Sequence, residues 1–239
     1  MTNIPNHILI IPDGNRRWAK KRKLHPFFGY QQGVKAAEKI FKTALDMKIQ
    51  NFTFWVLSLD NLIKRSPEEI NFLFDIFERW FKKLIINKKI YKKYIKINVL
   101  GRWHELLPEK LKNIIKQLVE ETKNYQDYQL TFLLAYSGID EMITAIEKIV
   151  ELKIKHPELK IDEKLIKNNL WTENLPPVDL VIRTGNERNN WTHLSSGVMM
   201  WDIANAQFYF TKTLFPDFSI EEFKKVIENY NQTERRMGA

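Results

Sequence analysis

The run Asp13-Gly14-Asn15-Arg16-Arg17-Trp18 sets a carboxylate beside two guanidinium groups, directly after a short apolar stretch. Residues 7–12 are rich in Ile and read as a buried strand, while residues 18–21 read as the first turn of a helix. The charged groups therefore fall at a strand's carboxyl end. In an open α/β sheet that edge binds ligands, and a helix N-terminus placed there offers backbone N–H groups to an anion. Asp13 suits a divalent cation, and Arg16 and Arg17 suit phosphate oxygens beside it. The same residues also fit a plain surface turn in which Asp13 caps a helix.

The elements that must position this cluster alternate. Strand-like segments fall at residues 7–12, 51–57, 95–101, 129–136, 179–184 and 206–210, and helical patterns separate most of them. The clearest helical pattern spans residues 67–90, with Ile70, Leu73, Phe74, Phe77, Trp80, Phe81 and Leu84 at i, i+3, i+4 spacing. Ser66 and Pro67 supply its N-cap and first turn. Such alternation predicts a single α/β domain over residues 1–239, with a mostly parallel six-stranded sheet flanked by helices. Its strand ends would bring Ser58, Asp60 and Asn61, then Arg183, Thr184 and Gly185, to one cleft with Asp13 and Arg17. Read as plain structure, Ser58 and Asn61 are turn formers and Arg183 is a surface charge. The aromatic stripe from Phe72 to Phe81, including Phe74, Phe77 and Trp80, is core packing by default. If it lines a cavity, that hydrophobic tunnel suits a long hydrocarbon.

Composition narrows the field. The chain of 239 residues has no cysteine, so it lacks a thiolate metal site or nucleophile and suits the cytoplasm. No apolar run has the length of a membrane span, and the N-terminus is no signal peptide. The formal net charge of +9 is mostly Lys, spread over stretches such as residues 88–96 and 153–160. Solvated faces explain it more simply than nucleic acid, which is not expected as a partner; peripheral contact with anionic lipid, or a diphosphate substrate, fits it equally well. No P-loop or dinucleotide fingerprint is present, and His7, His25, His104, His156 and His193 lack zinc-binding spacing.

The run from His7 to Ala19 resembles the H-x-x-x-x-M-D-G-N-x-R-W-A block of the cis-prenyltransferase family, typified by undecaprenyl diphosphate synthase, with Pro12 in place of Met. Ser58 to Asn61 resembles its S-x-E-N loop with Asp60 for Glu, and Val178 to Thr184 its P-D-L-x-I-R-T strand with Val178 for Pro. Tyr209 to Thr211, Phe215 to Asp217 and the terminal Glu234 to Gly238 are similar to its closing segments, so the likeness runs nearly end to end.

The resemblance implies that Asp13 holds magnesium and the allylic diphosphate, with Gly14, Asn15, Arg16 and Arg17 cradling phosphate beside Trp18. It implies that Asn61 assists deprotonation, that Arg183 and Ser196 meet the homoallylic diphosphate, and that Arg236 and Gly238 reach a partner subunit's site in a homodimer. Ser58 and Arg65 fall in its substrate loop. The implied reaction ionises an allylic diphosphate, joins the cation to a second C5 unit and loses a proton. Departures accompany the likeness. Leu194-Ser195-Ser196 stands where the family has R-x-S, and a one-residue gap would instead put His193 at the arginine position, so on either alignment an arginine for the second diphosphate is missing. Gln207 replaces a magnesium-ligating glutamate, and Pro26 and Tyr30 replace an arginine and a histidine. Regular coupling to isopentenyl diphosphate, irregular coupling to a second dimethylallyl diphosphate, and a poorly active subunit that completes a partner's site all follow as readings.

Overall fold

The sheet grows outward from its most buried strand. β1 (His7–Ile11) is buried at every position, and its apolar residues divide by alternation: Ile8 and Ile10 enter a larger core on one face, Leu9 and Ile11 a smaller one on the other. The computed structural model describes residues 4–186 and 193–232. β2 (Asn51–Ser58), β3 (Ile95–Leu100), β4 (Tyr128–Tyr136), β5 (Leu180–Arg183) and β6 (Gln207–Phe210) complete a six-stranded sheet of order β3-β4-β2-β1-β5-β6. Every pairing is parallel, which is stricter than the mostly parallel sheet expected.

The helices are α1 (Asn15–Lys21) and α2 (Pro26–Asp46), then α3 (Leu59–Lys64), α4 (Pro67–Ile85) and α5 (Lys88–Lys92). They continue as α6 (Trp103–Leu106), α7 (Glu109–Thr122), α8 (Gly138–Lys155), α9 (Glu163–Lys167) and α10 (Ile220–Gln232). The pattern over residues 67–90 is thus two helices. Asn87 breaks it because its side chain accepts the Lys89 N–H and caps α5, a local alternative that Asn offers the backbone. Residues of α2, α4, α7 and α10 fill the larger core, and Trp171, Leu175, Val178, Val198, Met199 and Ile203 cover the smaller one.

This strand order fixes where a ligand can bind. Successive connections run one way from β1 through β2 and the other way through β5, so a crevice opens outside the carboxyl ends of β1 and β5. Asp13 follows β1, and Arg183 ends β5.

His7 anchors β1 from below. It is fully buried, with Nδ1 against the Pro176 carbonyl and Nε2 against the Thr53 hydroxyl, each at 2.8 Å. Burial lowers its pKa from the ordinary 6.5, so the folded protein keeps it neutral. The unfolded chain takes up that proton below pH 6.5 and the folded one resists, so stability falls as pH drops through this value and is insensitive to His7 above it. Thermal melts between about pH 7.5 and about pH 5.5 are expected to show a falling midpoint, with a shallower slope in His7→Gln, the difference reaching at most about 1.4 kcal/mol per pH unit. Parallel slopes for the two proteins would remove His7 from the acid response.

Candidate active site

At the crevice, the Asp13 carboxylate is gripped from both sides. Arg17 Nη2 lies 3.0 Å from one oxygen and Arg183 Nη2 3.3 Å from the other. One arginine comes from the first turn of α1 and the other from the end of β5, so the pairing spans the switch point. The backbone is locked beneath it: Thr184 Oγ1 donates to the Asp13 carbonyl at 2.9 Å, and the Phe215 N–H donates to it at 3.1 Å. Gly185 sits at φ +68°, where a Cβ would come within 2.7 Å of both the Asp13 carbonyl and Arg17 Nη2. Asp13 does not cap a helix, as the surface-turn reading requires; Gly14 is the N-cap of α1, without a side-chain bond.

A cavity of about 520 Å³ opens over this cluster. Its mouth is lined by Asp13, Gly14, Asn15, Arg16, Arg17 and Arg183, by Ser58 and Asn61 on the β2–α3 junction, and by Ser195 and Ser196. Ser58 is also the N-cap of α3, accepting the Asn61 N–H at 3.0 Å, so its turn-forming role and its place in the site coexist. Ser196 Oγ donates to Asp60 at 3.3 Å, joining the β2 and β5 sides of the mouth. The floor is apolar, formed by Val34, Phe54, Leu73, Ile76, Phe77 and Trp80. Trp80 rests edge-on against Phe132. Phe72 and Phe74 do not line it; Phe72 stacks on Phe27 at 3.5 Å instead.

A second set of charges flanks the mouth. The Tyr30 hydroxyl donates to Glu69 and accepts from Arg65 at 3.0 Å, while Glu69 pairs with Arg65 at 3.3 Å and with Arg16 at 3.6 Å. Burial, against the pull of Arg65, raises the Tyr30 pKa well above its usual range, so the phenol stays protonated as a donor. Glu69 escaped the sequence reading because it sits in the first turn of α4, where an acidic residue is ordinary helix-start chemistry. Its spacing of four from Arg65 was the available signal. Lys64, also on the mouth, was missed for the same kind of reason.

Two expected site residues are not brought here. Trp18 donates its indole N–H to Asp217 at 2.7 Å and lies under Arg22, which ties α1 to the 3-10 turn Phe215–Asp217 rather than to the cavity. Gln207 begins β6 in register with Leu180, whereas Phe210 is the residue level with Arg183. It therefore stands toward the opposite end of the sheet from Asp13, and within one chain the pair does not form a shared metal site. Leu194, at the arginine position of the R-x-S likeness, packs against the smaller core. Arg236 and Gly238 lie outside the described residues.

A cationic mouth above an apolar floor selects a ligand with an anionic head and a hydrocarbon tail. Comparison with known proteins agrees. The Prenyltransf family model, described as undecaprenyl diphosphate synthase, matches residues 11–238. The chain belongs to this family. It is a cis-type prenyltransferase. It is 37% identical over 240 residues, 99% of this chain and 88% of the relative, to the tritrans,polycis-undecaprenyl-diphosphate synthase (geranylgeranyl-diphosphate specific) of Thermococcus kodakarensis. The isoprenyl transferase of Aquifex aeolicus is 32% identical over 98% of this chain and 96% of its own length. Among solved structures, lavandulyl diphosphate synthase from Lavandula x intermedia, in complex with dimethylallyl diphosphate, superposes with a TM-score of 0.84 at 29% identity, covering 99% of both chains.

The Glu69 cluster yields a direct test on this prenyltransferase. Arg65 is only 15% exposed at its side chain, so Glu69→Ala leaves a mostly buried guanidinium short of its carboxylate. A loss of about 2 kcal/mol is expected, seen as a melting midpoint lower by roughly 4–8 °C, with a smaller loss in Glu69→Gln. An unchanged midpoint in Glu69→Ala would show that solvent already satisfies Arg65.

Proposed function

We propose that this enzyme is a cytoplasmic, magnesium-dependent prenyl diphosphate synthase that joins an allylic prenyl diphosphate to isopentenyl diphosphate in regular head-to-tail elongation, and that it works as a homodimer. The observation that carries this reading is the continuity of one cavity from the Asp13–Arg17–Arg183 cluster to the Phe77–Trp80 floor. The Thermococcus relative bears the name of a polyprenyl synthase, which supports elongation over other couplings.

Magnesium fits the donor set. The Asp13 side chain is 41% exposed at the mouth, and among the described residues no cluster of three or more His, Cys, Asp or Glu is built for a metal. One or two carboxylates completed by substrate phosphate oxygens is the usual arrangement for this ion. When bound, magnesium supplies a Lewis acid that draws negative charge off the departing diphosphate. Arg16 and Arg17 then hold oxygens of the allylic diphosphate, and Arg183 those of the second diphosphate, through charge-assisted hydrogen bonds. As the allylic C–O bond breaks, its electron pair leaves on the diphosphate, and fixed guanidinium groups stabilise that charge without reorganising. The apolar floor keeps water from the allylic cation while the double bond of the second unit attacks it. A proton then passes from the second unit to an oxygen of the released diphosphate, with Asn61 on the cavity wall orienting that transfer.

The homodimer reading rests on α8. Ile139, Ile143, Ile146 and Val150 follow one helical face and are each at least 50% exposed. A contiguous aliphatic stripe of this kind marks a protein interface. In such a dimer the terminal Arg236 and Gly238 would reach the other subunit's site. The basic surface and a lipid-like product also suit peripheral contact with an anionic membrane. No helix among the described residues is long and apolar enough to cross one.

A second reading is irregular coupling, and one observation favours it. Leu194 turns into the smaller core, which leaves Arg183 as the guanidinium beside Ser195 and Ser196 among the described residues lining the cavity there. Incubation with magnesium and either dimethylallyl plus isopentenyl diphosphate, or dimethylallyl diphosphate alone, separates the two by mass spectrometry of the products. Regular elongation is expected only in the first mixture; product from dimethylallyl diphosphate alone would establish the irregular reading. Asp13→Ala is expected to keep its fold and lose about 10²-fold or more in kcat/KM. Activity within a few-fold of wild type would take Asp13 out of the mechanism.

A further inference from the structure

The turn that brings Ser195 and Ser196 to the cavity is conformationally costly. Ser196 at φ 49°, Gly197 at φ 57° and Met199 at φ 46° all lie in the left-handed region, as does Ala135 at φ 51° just before the end of β4. Backbone of this kind persists only where its surroundings hold it. Here the holder is a closed ring of buried and part-buried hydrogen bonds on the smaller-core face.

The ring starts at Tyr136, which is fully buried. Its hydroxyl donates to Glu141 at 2.5 Å and accepts the Met199 N–H at 3.1 Å. The other Glu141 oxygen accepts the Thr172 N–H at 2.9 Å, and the Thr172 carbonyl accepts from Lys167 at 2.6 Å. Lys167 pairs with Asp202 at 2.5 Å, and the Asp202 N–H returns to the Met199 carbonyl at 2.9 Å. Burial raises the Tyr136 pKa well above its usual value, so the hydroxyl keeps the proton it gives to Glu141. The turn is also pressed against α8, since a Cβ on Gly138 would collide with the Gly197 carbonyl.

We propose that Tyr136 and Glu141 are positioning residues for the second diphosphate: through Met199 they hold the Ser195–Gly197 turn against the cavity mouth, and so set affinity for the acceptor substrate rather than for the allylic one. Neither residue lines the cavity. The allylic side is held independently, by the β1–α1 junction and the Thr184 bond to Asp13. The proposal rests on the reading of Ser195 and Ser196 as the acceptor side of the site, so Ser196→Ala serves as the reference variant.

Steady-state kinetics with isopentenyl and dimethylallyl diphosphates test it. Tyr136→Phe removes both the donor to Glu141 and the acceptor for Met199, and is expected to raise the isopentenyl diphosphate KM by about tenfold. The dimethylallyl diphosphate KM is expected to stay within about twofold, a split that a general loss of stability does not produce. Glu141→Gln, which keeps the shape and one acceptor, is expected to show the same split more weakly. If Ser196→Ala raises the isopentenyl diphosphate KM and Tyr136→Phe does not, the ring has no positioning role and the acceptor site stands. If neither variant moves it, the acceptor-site reading fails and the proposal fails with it. Should Tyr136→Phe not fold, amide exchange of the wild type decides: slow exchange at Met199 supports the ring, and exchange at the rate of exposed loops overturns it.

Discussion

On the proposed function, catalysis in this fold depends on holding one carboxylate and two guanidinium groups at a break between parallel strands. Left alone, the Asp13–Arg17 pair, with both side chains more than a third exposed, would contribute little. What gives these charges consequence is backbone rigidity. The Asp13 carbonyl is held by Thr184 and Phe215, the Gly185 turn passes close beneath, and β1 and β5 are paired in register up to Ile11 and Arg183. A diphosphate arriving there meets donors whose positions are already fixed, which is the condition for strong electrostatic catalysis. The apolar floor adds selectivity for the tail, but the head group decides where the ligand sits.

The sheet separates two tasks. On one face, α2 and α4 build the larger core and with it the cavity floor, so Phe77 and Trp80 are core residues and cavity walls at once. On the other, the smaller core carries Tyr136, Val198 and Met199 beneath the turn that presents Ser195 and Ser196. On the proposed function, changes in the first core would act on the tail of the ligand, and changes in the second on a head-group contact. Trp55, on the strand between, belongs to the smaller core and still lines the cavity, so the two tasks meet at β2.

Strand positions were legible because buried parallel strands are runs of Ile, Val, Leu and Phe, and that signal survives without knowledge of the fold. The ends of those strands were legible too, which is why Asp13, Asn61 and Arg183 fall at one cavity. What sequence pattern does not carry is depth along a strand relative to its neighbour. Gln207 lies at the start of β6, and only the pairing with Leu180 shows that it is at the far end from Asp13. Helical periodicity likewise gives a face but not its partner: Phe72 and Phe77 share a stripe by spacing, yet one meets Phe27 and the other the cavity. Trp18 sits inside the strongest motif and serves packing, because the Asp217 carboxylate that claims its indole comes from a segment about two hundred residues away. Motif membership fixed its neighbourhood, not its contacts.

The departures from the family pattern gain a physical meaning once placed. Tyr30 stands where a histidine is usual, and it is buried against Glu69 and Arg65 with its proton retained. A histidine there would titrate near neutrality and change the charge of the mouth with pH. Tyr30 removes that dependence while preserving a donor to Glu69. Leu194 similarly packs an apolar side chain against the smaller core where the resemblance expects a cation. Both substitutions move the site toward fixed geometry and fewer titrating or mobile charges. On the proposed function, binding of the second diphosphate would lean on Arg183, already shared with Asp13, and on how firmly the Ser195–Gly197 turn is held.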